Sequence, residues 1–286
     1  MQKFLMLIIA LIFLSGCNSN NINSSKIKED IKVIENKYNI QAGVYVNDLT
    51  DKQKLSYNEE LLFPYASTFK VINSALLIEK LGMNNLDKEV KVSERDIVLY
   101  SPILEKYKNK NVSLKMLIEA ALLYSDNTAN NLIIEELGGL KEVEKRLSAL
   151  GIKGVNVNRK EVALNFYDPK KNEDTISAKN MSKALIKMLT GDVLEYKEQI
   201  FLIDLMKKNK TGTTLIKKGM DKKFIVGDKS GQGANYGVRN DIAVVYKKQS
   251  NKPIIVVVFT KAKNEKQKPS DTPIVEISKV INKNIK

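Results

Sequence analysis

The chain has 286 residues, 43% of them hydrophobic and 28% charged, with 14 glycines and 6 prolines; it is long enough to bury a core, and wholesale disorder and collagen-like or proline-rich chains are excluded. With no histidine and 1 cysteine, imidazole metal sites, His-based catalytic groups, an intrachain disulfide and a cysteine zinc site are excluded too, so a hydrolase here must draw its base from a carboxylate, a lysine or a tyrosine. The net charge of +14 is spread over lysines interleaved with acids along the whole chain, which reads as a solvated surface and not as a nucleic-acid interface.

Met1-Gln2-Lys3 and the apolar run Phe4 to Leu14 form a signal-peptide pattern over 1–16. The run is shorter than the ~20 residues a membrane-spanning helix needs. Leu14-Ser15-Gly16-Cys17 resembles a bacterial lipobox, in which Cys17 is lipidated and becomes the mature N-terminus. Residues 17–25 are then the lipidated start and a polar Asn/Ser tether. The protein is expected to be exported and anchored by lipid to the outer face of the cell membrane, partly secreted, with no other membrane contact.

Lys26 to Tyr38 has helical periodicity through Ile27, Ile31 and Ile34. Gly43 to Val46 and Lys54 to Tyr57 read as two strands joined by a turn at Asn47 to Asp51. From Tyr65 to Lys218 the patterns are mostly helical: Val71 to Leu81, Leu114 to Leu123, Thr128 to Leu137, Leu140 to Leu150, Ala178 to Leu189 and Lys197 to Lys208. Strand character returns in Phe224 to Gly231, Ile242 to Tyr246 and Ile254 to Thr260, and a last helix runs from Ile274 to Ile285. The expected fold is α+β. Both chain ends build one antiparallel sheet with helices on its faces, and an all-helical subdomain is inserted. The domain at 26–286 would divide into an α/β part, 26–63 and 219–286, and a helical part, 64–218.

Three short stretches carry groups capable of chemistry. Ser67-Thr68-Phe69-Lys70 opens an apolar helix, and positions i and i+3 share a helix face, so Lys70 can reach the Ser67 hydroxyl and activate it. Spacing alone is weak, because Ser25-Lys26-Ile27-Lys28 has it too. Ser125-Asp126-Asn127 lies between two helices and reads either as an N-cap or as a loop offering a hydroxyl and an amide. Lys229-Ser230-Gly231 ends a strand and could bind a carboxylate, with glycine allowing close backbone approach. Lys210-Thr211-Gly212 has a similar composition but follows a helix and reads as a helix stop.

In this order the three stretches resemble those of serine β-lactamases and penicillin-binding proteins. Arg159-Lys160-Glu161-Val162-Ala163-Leu164-Asn165 resembles the omega-loop segment of class A β-lactamases, with Asp174 placed to close that loop by pairing with Arg159. Tyr100-Ser101-Pro102 and Arg239 also match, and the likeness spans essentially the whole mature chain, most of all that of staphylococcal-type penicillinases of Gram-positive bacteria. Two departures stand out: Ser230 replaces the commoner threonine, and Val162 replaces proline at a position where the family has a cis peptide.

The resemblance implies hydrolysis of the β-lactam ring of penicillins through an acyl-serine on Ser67, conferring resistance. It makes Lys70 and Glu161 the two candidate acylation bases and Ser125 the proton donor to the departing nitrogen. The oxyanion hole would be the N–H groups of Ser67 and Gln232, beside Gly231. Lys229, Ser230 and Arg239 would hold the substrate carboxylate, Asn127 the acylamino side chain, and Glu161 with Asn165 the attacking water; Tyr100 would border the site. No metal or cofactor is implied, and the protein is expected to be a monomer. Two rivals stay open: a penicillin-binding D,D-peptidase, against which Glu161 argues, and a non-catalytic lipoprotein that binds anionic polymers.

Overall fold

A computed structural model describes residues 24–248 and 250–285. The signal-peptide pattern, the lipobox and Cys17 lie outside the described residues. Among those described, no helix is long and apolar enough to cross a membrane.

In chain order the first elements are α1 (Ser24–Tyr38), β1 (Ile40–Asp48), β2 (Lys54–Tyr57) and β3 (Leu62–Pro64). A 3-10 turn, Ala66–Phe69, leads into α2 (Lys70–Leu81). Then come β4 (Glu89–Lys91), β5 (Asn111–Ser113), α3 (Leu114–Leu123), α4 (Asn127–Leu137), α5 (Leu140–Ala149), β6 (Thr175–Ser177), α6 (Ala178–Leu189), α7 (Tyr196–Lys208) and α8 (Ile216–Gly219). The chain closes with β7 (Phe224–Gln232), β8 (Arg239–Lys247), β9 (Ile254–Ala262) and α9 (Thr272–Asn284).

β1, β2, β7, β8 and β9 form one antiparallel sheet in the order β2-β1-β9-β8-β7, built as expected from both chain ends. Period-two alternation divides its side chains between two cores. Val44, Val46, Ala243, Val245, Val256 and Val258 pack with Ile27, Ile31 and Ile34 of α1 and Ile274, Ile277 and Ile281 of α9. Tyr45, Ile242, Val244, Ile255, Val257 and Phe259 face the helical part of the molecule. β9 is covered on both faces and buried along its whole length, which is why it reads as an unbroken β-branched run. α2 is buried from Lys70 to Ile78. A helix apolar on nearly all sides belongs in an interior, and this one carries the Ser-x-x-Lys lysine into it.

The inserted part is mainly helical and not all helical. β4 pairs with β5, and β6 pairs back with β3. These strands have three residues each, too few to print a period of two on the sequence. α1 also starts two residues earlier than its apolar periodicity suggests, taking in Ser24 and Ser25.

Candidate active site

Ser67 sits in the 3-10 turn that feeds α2, so Ser67 and Lys70 lie one turn apart with Lys70 already in the buried helix. Lys70 Nζ is 2.6 Å from Ser67 Oγ, 2.7 Å from Asn127 Oδ1 and 3.2 Å from the Ser125 carbonyl. It also pairs with Glu161 Oε1 at 2.8 Å, both side chains being 1% exposed. One buried ammonium thus joins the 3-10 turn before α2, the α3–α4 connection, the first residue of α4 and the 150–175 loop. By contrast, Ser25 and Lys28 lie on the exposed side of α1, and the shared spacing leads nowhere.

The loop carrying Glu161 is held from several directions. Asn131 of α4 clamps the Glu161 backbone reciprocally, donating Nδ2 to its carbonyl at 2.9 Å and accepting its N–H at 3.0 Å. Asn165 donates Nδ2 to Glu161 Oε2 at 2.6 Å, while Asn165 Oδ1 is buried without a hydrogen-bond partner. The Glu161–Val162 peptide is cis. Arg159 Nε meets Asp174 Oδ2 at 2.6 Å. Asp174 is fully buried, and its Oδ1 also accepts from the N–H groups of Asn158 and Arg159 and from Tyr65 OH. That carboxylate organises the loop base far more than an exposed ion pair could.

In Ser125-Asp126-Asn127 the two readings fall on different residues. Asp126 is the N-cap of α4, accepting from Ala129 N at 2.9 Å. Ser125, at φ +59°, turns its hydroxyl to Lys229 Nζ at 3.0 Å. Asn127 gives one amide proton to Leu99 O at 2.8 Å while its oxygen holds Lys70.

β7 brings the third stretch against Ser67. Lys229 is wholly buried, and its Nζ donates to Ser125 Oγ and, at 2.9 Å, to Ser230 O. Burial, and then the neighbouring Lys70 ammonium, lowers its pKa to about 7. A Cβ on Gly231 would stand 3.0 Å from Tyr65 O and 3.2 Å from Thr68 N, so only glycine lets the strand lie this close to the turn bearing Ser67. Arg239, opposite Gln232 across the β7–β8 ladder, gives Nε to Asp271 at 2.7 Å.

These groups open onto a cleft of about 590 Å³ whose lining includes Ser67, Tyr100, Ser125, Asn127, Asn165, Ser230, Gln232 and Arg239. Lys70, Glu161 and Lys229 lie beneath it. Arg159 and Asp174 lie at the base of the loop and do not line it. The lining also includes Leu99 and Phe166, which the sequence does not single out, and Lys210 and Thr211, which it offers only as a helix stop. Thr211 Oγ1 lies 3.1 Å from Ser230 Oγ. The Lys-Thr-Gly stretch is the helix stop its sequence suggests, and it also forms a wall of the cleft. Its likeness to Lys229-Ser230-Gly231 was the signal available. For Asn131 the signal was an asparagine pair interrupting an otherwise apolar helix pattern.

Residues 26–285 match a family described as the Beta-lactamase enzyme family. A Bacillus licheniformis beta-lactamase is 31% identical over 97% of this chain and 92% of its own length. Beta-lactamase ROB-1 of Haemophilus influenzae is 32% identical over 96% of this chain and 95% of its own. The crystal structure of a halotolerant bacterial beta-lactamase superposes with a TM-score of 0.86 at 32% identity, covering 89% of this chain and 97% of that one.

Proposed function

The chain belongs to the beta-lactamase enzyme family and is a class A serine β-lactamase that hydrolyses β-lactams; from that premise we propose that Ser67 is its nucleophile and penicillins its substrates. The observation that carries this reading is the single buried ammonium of Lys70, within 2.8 Å of both Ser67 Oγ and the Glu161 carboxylate. Ser67 Oγ attacks the lactam carbonyl carbon and passes its proton either to the Glu161 carboxylate or to Lys70, the latter once the Lys70 ammonium has given a proton to Glu161 across their 2.8 Å pair. The N–H groups of Ser67 and Gln232 receive the oxyanion. As the C–N bond breaks, Ser125 gives its proton to the nitrogen and recovers one through Lys229 or Lys70. Lys229, Ser230 and Arg239 hold the substrate carboxylate, whose charge favours the protonated form of Lys229. Asn127 spends its second amide proton on the acylamino side chain, and Tyr100 borders that side.

Deacylation needs a water deprotonated close to the ester. Glu161 is the group for this, with Asn165 Oδ1 as the second acceptor holding the water. The proton returns to Ser67 as the penicilloate leaves. Arg159 and Asp174 hold the loop that presents Glu161. The test is Glu161→Ala. It should accumulate a penicilloyl adduct on Ser67, seen as a mass increase in the intact protein, with turnover reduced about 10²–10⁴-fold. Turnover at the parent rate without an adduct would end this assignment. Ser67→Ala should take no label at all.

The finer placement is also our proposal. The mature protein starts at Cys17, is exported, lipid-anchored and partly shed through the 17–25 tether, acts as a monomer, and is of the staphylococcal penicillinase type. The division into an α/β part, 26–63 with 219–286, and a helical part, 64–218, belongs to this reading. Cys17→Ser should move the protein from the membrane to the soluble fraction, and an unchanged membrane fraction would refute the anchor.

A further inference from the structure

The two cations assigned to the substrate carboxylate already have partners within this fold. Arg239 is paired with Asp271 Oδ1 at 2.7 Å, and the other oxygen of Asp271 takes Thr214 Oγ1 at 2.5 Å. Lys229 is sealed beneath the cleft with its ammonium on Ser125 Oγ and Ser230 O. Lys229 therefore acts on that carboxylate from beneath the cleft, and Arg239 acts on it with its Nε kept on Asp271.

Lys210 is exposed and lines the same cleft as Ser67, Ser230 and Arg239. Among the described residues its ammonium has no acidic partner within 4.0 Å and no hydrogen bond. Its root is firmly held. Lys210 N donates to Leu123 O at 3.0 Å, and the preceding Asn209 donates Nδ2 to both the carbonyl and the carboxylate of Asp228. The following Thr211 donates its N–H and Oγ1 to Asn209 Oδ1, each at 2.9 Å, and touches Ser230 Oγ. A fixed backbone therefore places a flexible, unpaired cation beside the ledge formed by Thr211 and Ser230.

We propose that Lys210 is a further substrate-binding residue, whose ammonium meets the carboxylate of a bicyclic β-lactam at the Thr211–Ser230 ledge. An ammonium on a four-carbon stem can follow that carboxylate as ring systems of different shape enter, which the paired Arg239 cannot do without giving up Asp271. The inference rests on the reading that Ser230 faces the substrate carboxylate. Because the lysine is exposed, its effect is that of one screened ion pair, and it falls on binding and not on bond breaking.

The experiment measures kcat and kcat/KM of the parent, Lys210→Ala, Lys210→Arg and the surface control Lys208→Ala on benzylpenicillin and on its neutral methyl ester. Lys210→Ala should lower kcat/KM for the acid about two- to fivefold through KM, with kcat held. It should leave the ester unchanged and flatten the fall of kcat/KM with added salt. Lys210→Arg should keep most of the acid's advantage, and Lys208→Ala should change nothing. If Lys210→Ala matches the parent on the acid, or loses equally on acid and ester, the inference is overturned while the β-lactamase reading stands. If the parent itself does not turn over benzylpenicillin, both fall together.

Discussion

Lys229-Ser230-Gly231 and Lys210-Thr211-Gly212 have nearly the same composition and lie side by side, joined by the Ser230 and Thr211 hydroxyls at 3.1 Å. The residues before them are joined as well, Asn209 to Asp228. Yet the first lysine is buried on Ser125 and the second stands open in the cleft. The glycines differ in the same way. Gly231 lets a strand approach the turn that bears Ser67, whereas Gly212 leaves room for the Asp228 carboxylate. Support from behind, and not the tripeptide, decides what each does. The edge strand β7 turns Lys229 inward, while a stretch just past the end of α7 leaves Lys210 facing solvent.

The largest expected effect tests that contrast directly. Lys229→Ala removes a buried donor to Ser125 Oγ and should lower kcat/KM on benzylpenicillin about a hundredfold, the size of one or two charge-assisted hydrogen bonds. Lys210→Ala stays within about fivefold. Equal losses would erase the distinction between the two lysines.

Next come the glycines. In Gly212→Ala the new methyl would collide with Asp228 Oδ2 and lie 2.9 Å from Asn209 Nδ2. The expected cost is about 1–3 kcal/mol, read from urea unfolding. In Gly231→Ala the methyl presses on Tyr65 O and Thr68 N, so activity should fall more than stability. A fully stable Gly212→Ala protein would show that the two stretches are not locked through Asp228.

A smaller effect concerns pH. Burial raises the Asp228 pKa to about 6 against the opposing Asn209 hydrogen bond, and burial raises that of Asp241 on the neighbouring strand well above the usual carboxylate range. An acid whose folded pKa exceeds its unfolded value binds its proton more tightly in the fold. Its stabilisation is full below about pH 4 and is lost as pH rises through about 6. The melting temperature should therefore fall over that window, and Asp228→Asn should flatten the fall. A variant with the parent's slope would remove Asp228 as its source.

Smallest is Thr211→Val, which deletes the hydroxyl shared with Asn209 and Ser230. About 0.5–1.5 kcal/mol of stability should be lost, with kcat nearly kept. A severe loss of kcat would place Thr211 in the chemistry and narrow the gap between the two stretches.

Much of this architecture is legible before folding. The β-branched runs announce β7, β8 and β9, the apolar periodicity announces α2, and Ser67 at the head of α2 announces a serine within reach of a lysine. What escapes is whatever depends on distant segments meeting. The helix stop at Lys210-Thr211-Gly212 is correct as local chemistry, but nothing near it in sequence tells that α7 packs on β7 and sets Thr211 beside Ser230. The asparagine pair in α4 gives no hint that Asn131 clamps Glu161. The three-residue strands β3 and β6 exist only because each finds the other.

By itself the sequence determines the chemical inventory: no histidine, a Lys70 one turn from Ser67, a carboxylate at Glu161, and an element order that admits one sheet from two chain ends. Those follow from residue identity and local periodicity, which act over a few residues. Tertiary structure alone decides which lysines are buried, which carboxylates meet them and which cation stays free. Burial and charge pairing are set by what packs around a group, and at this site that packing comes from stretches far apart in the chain.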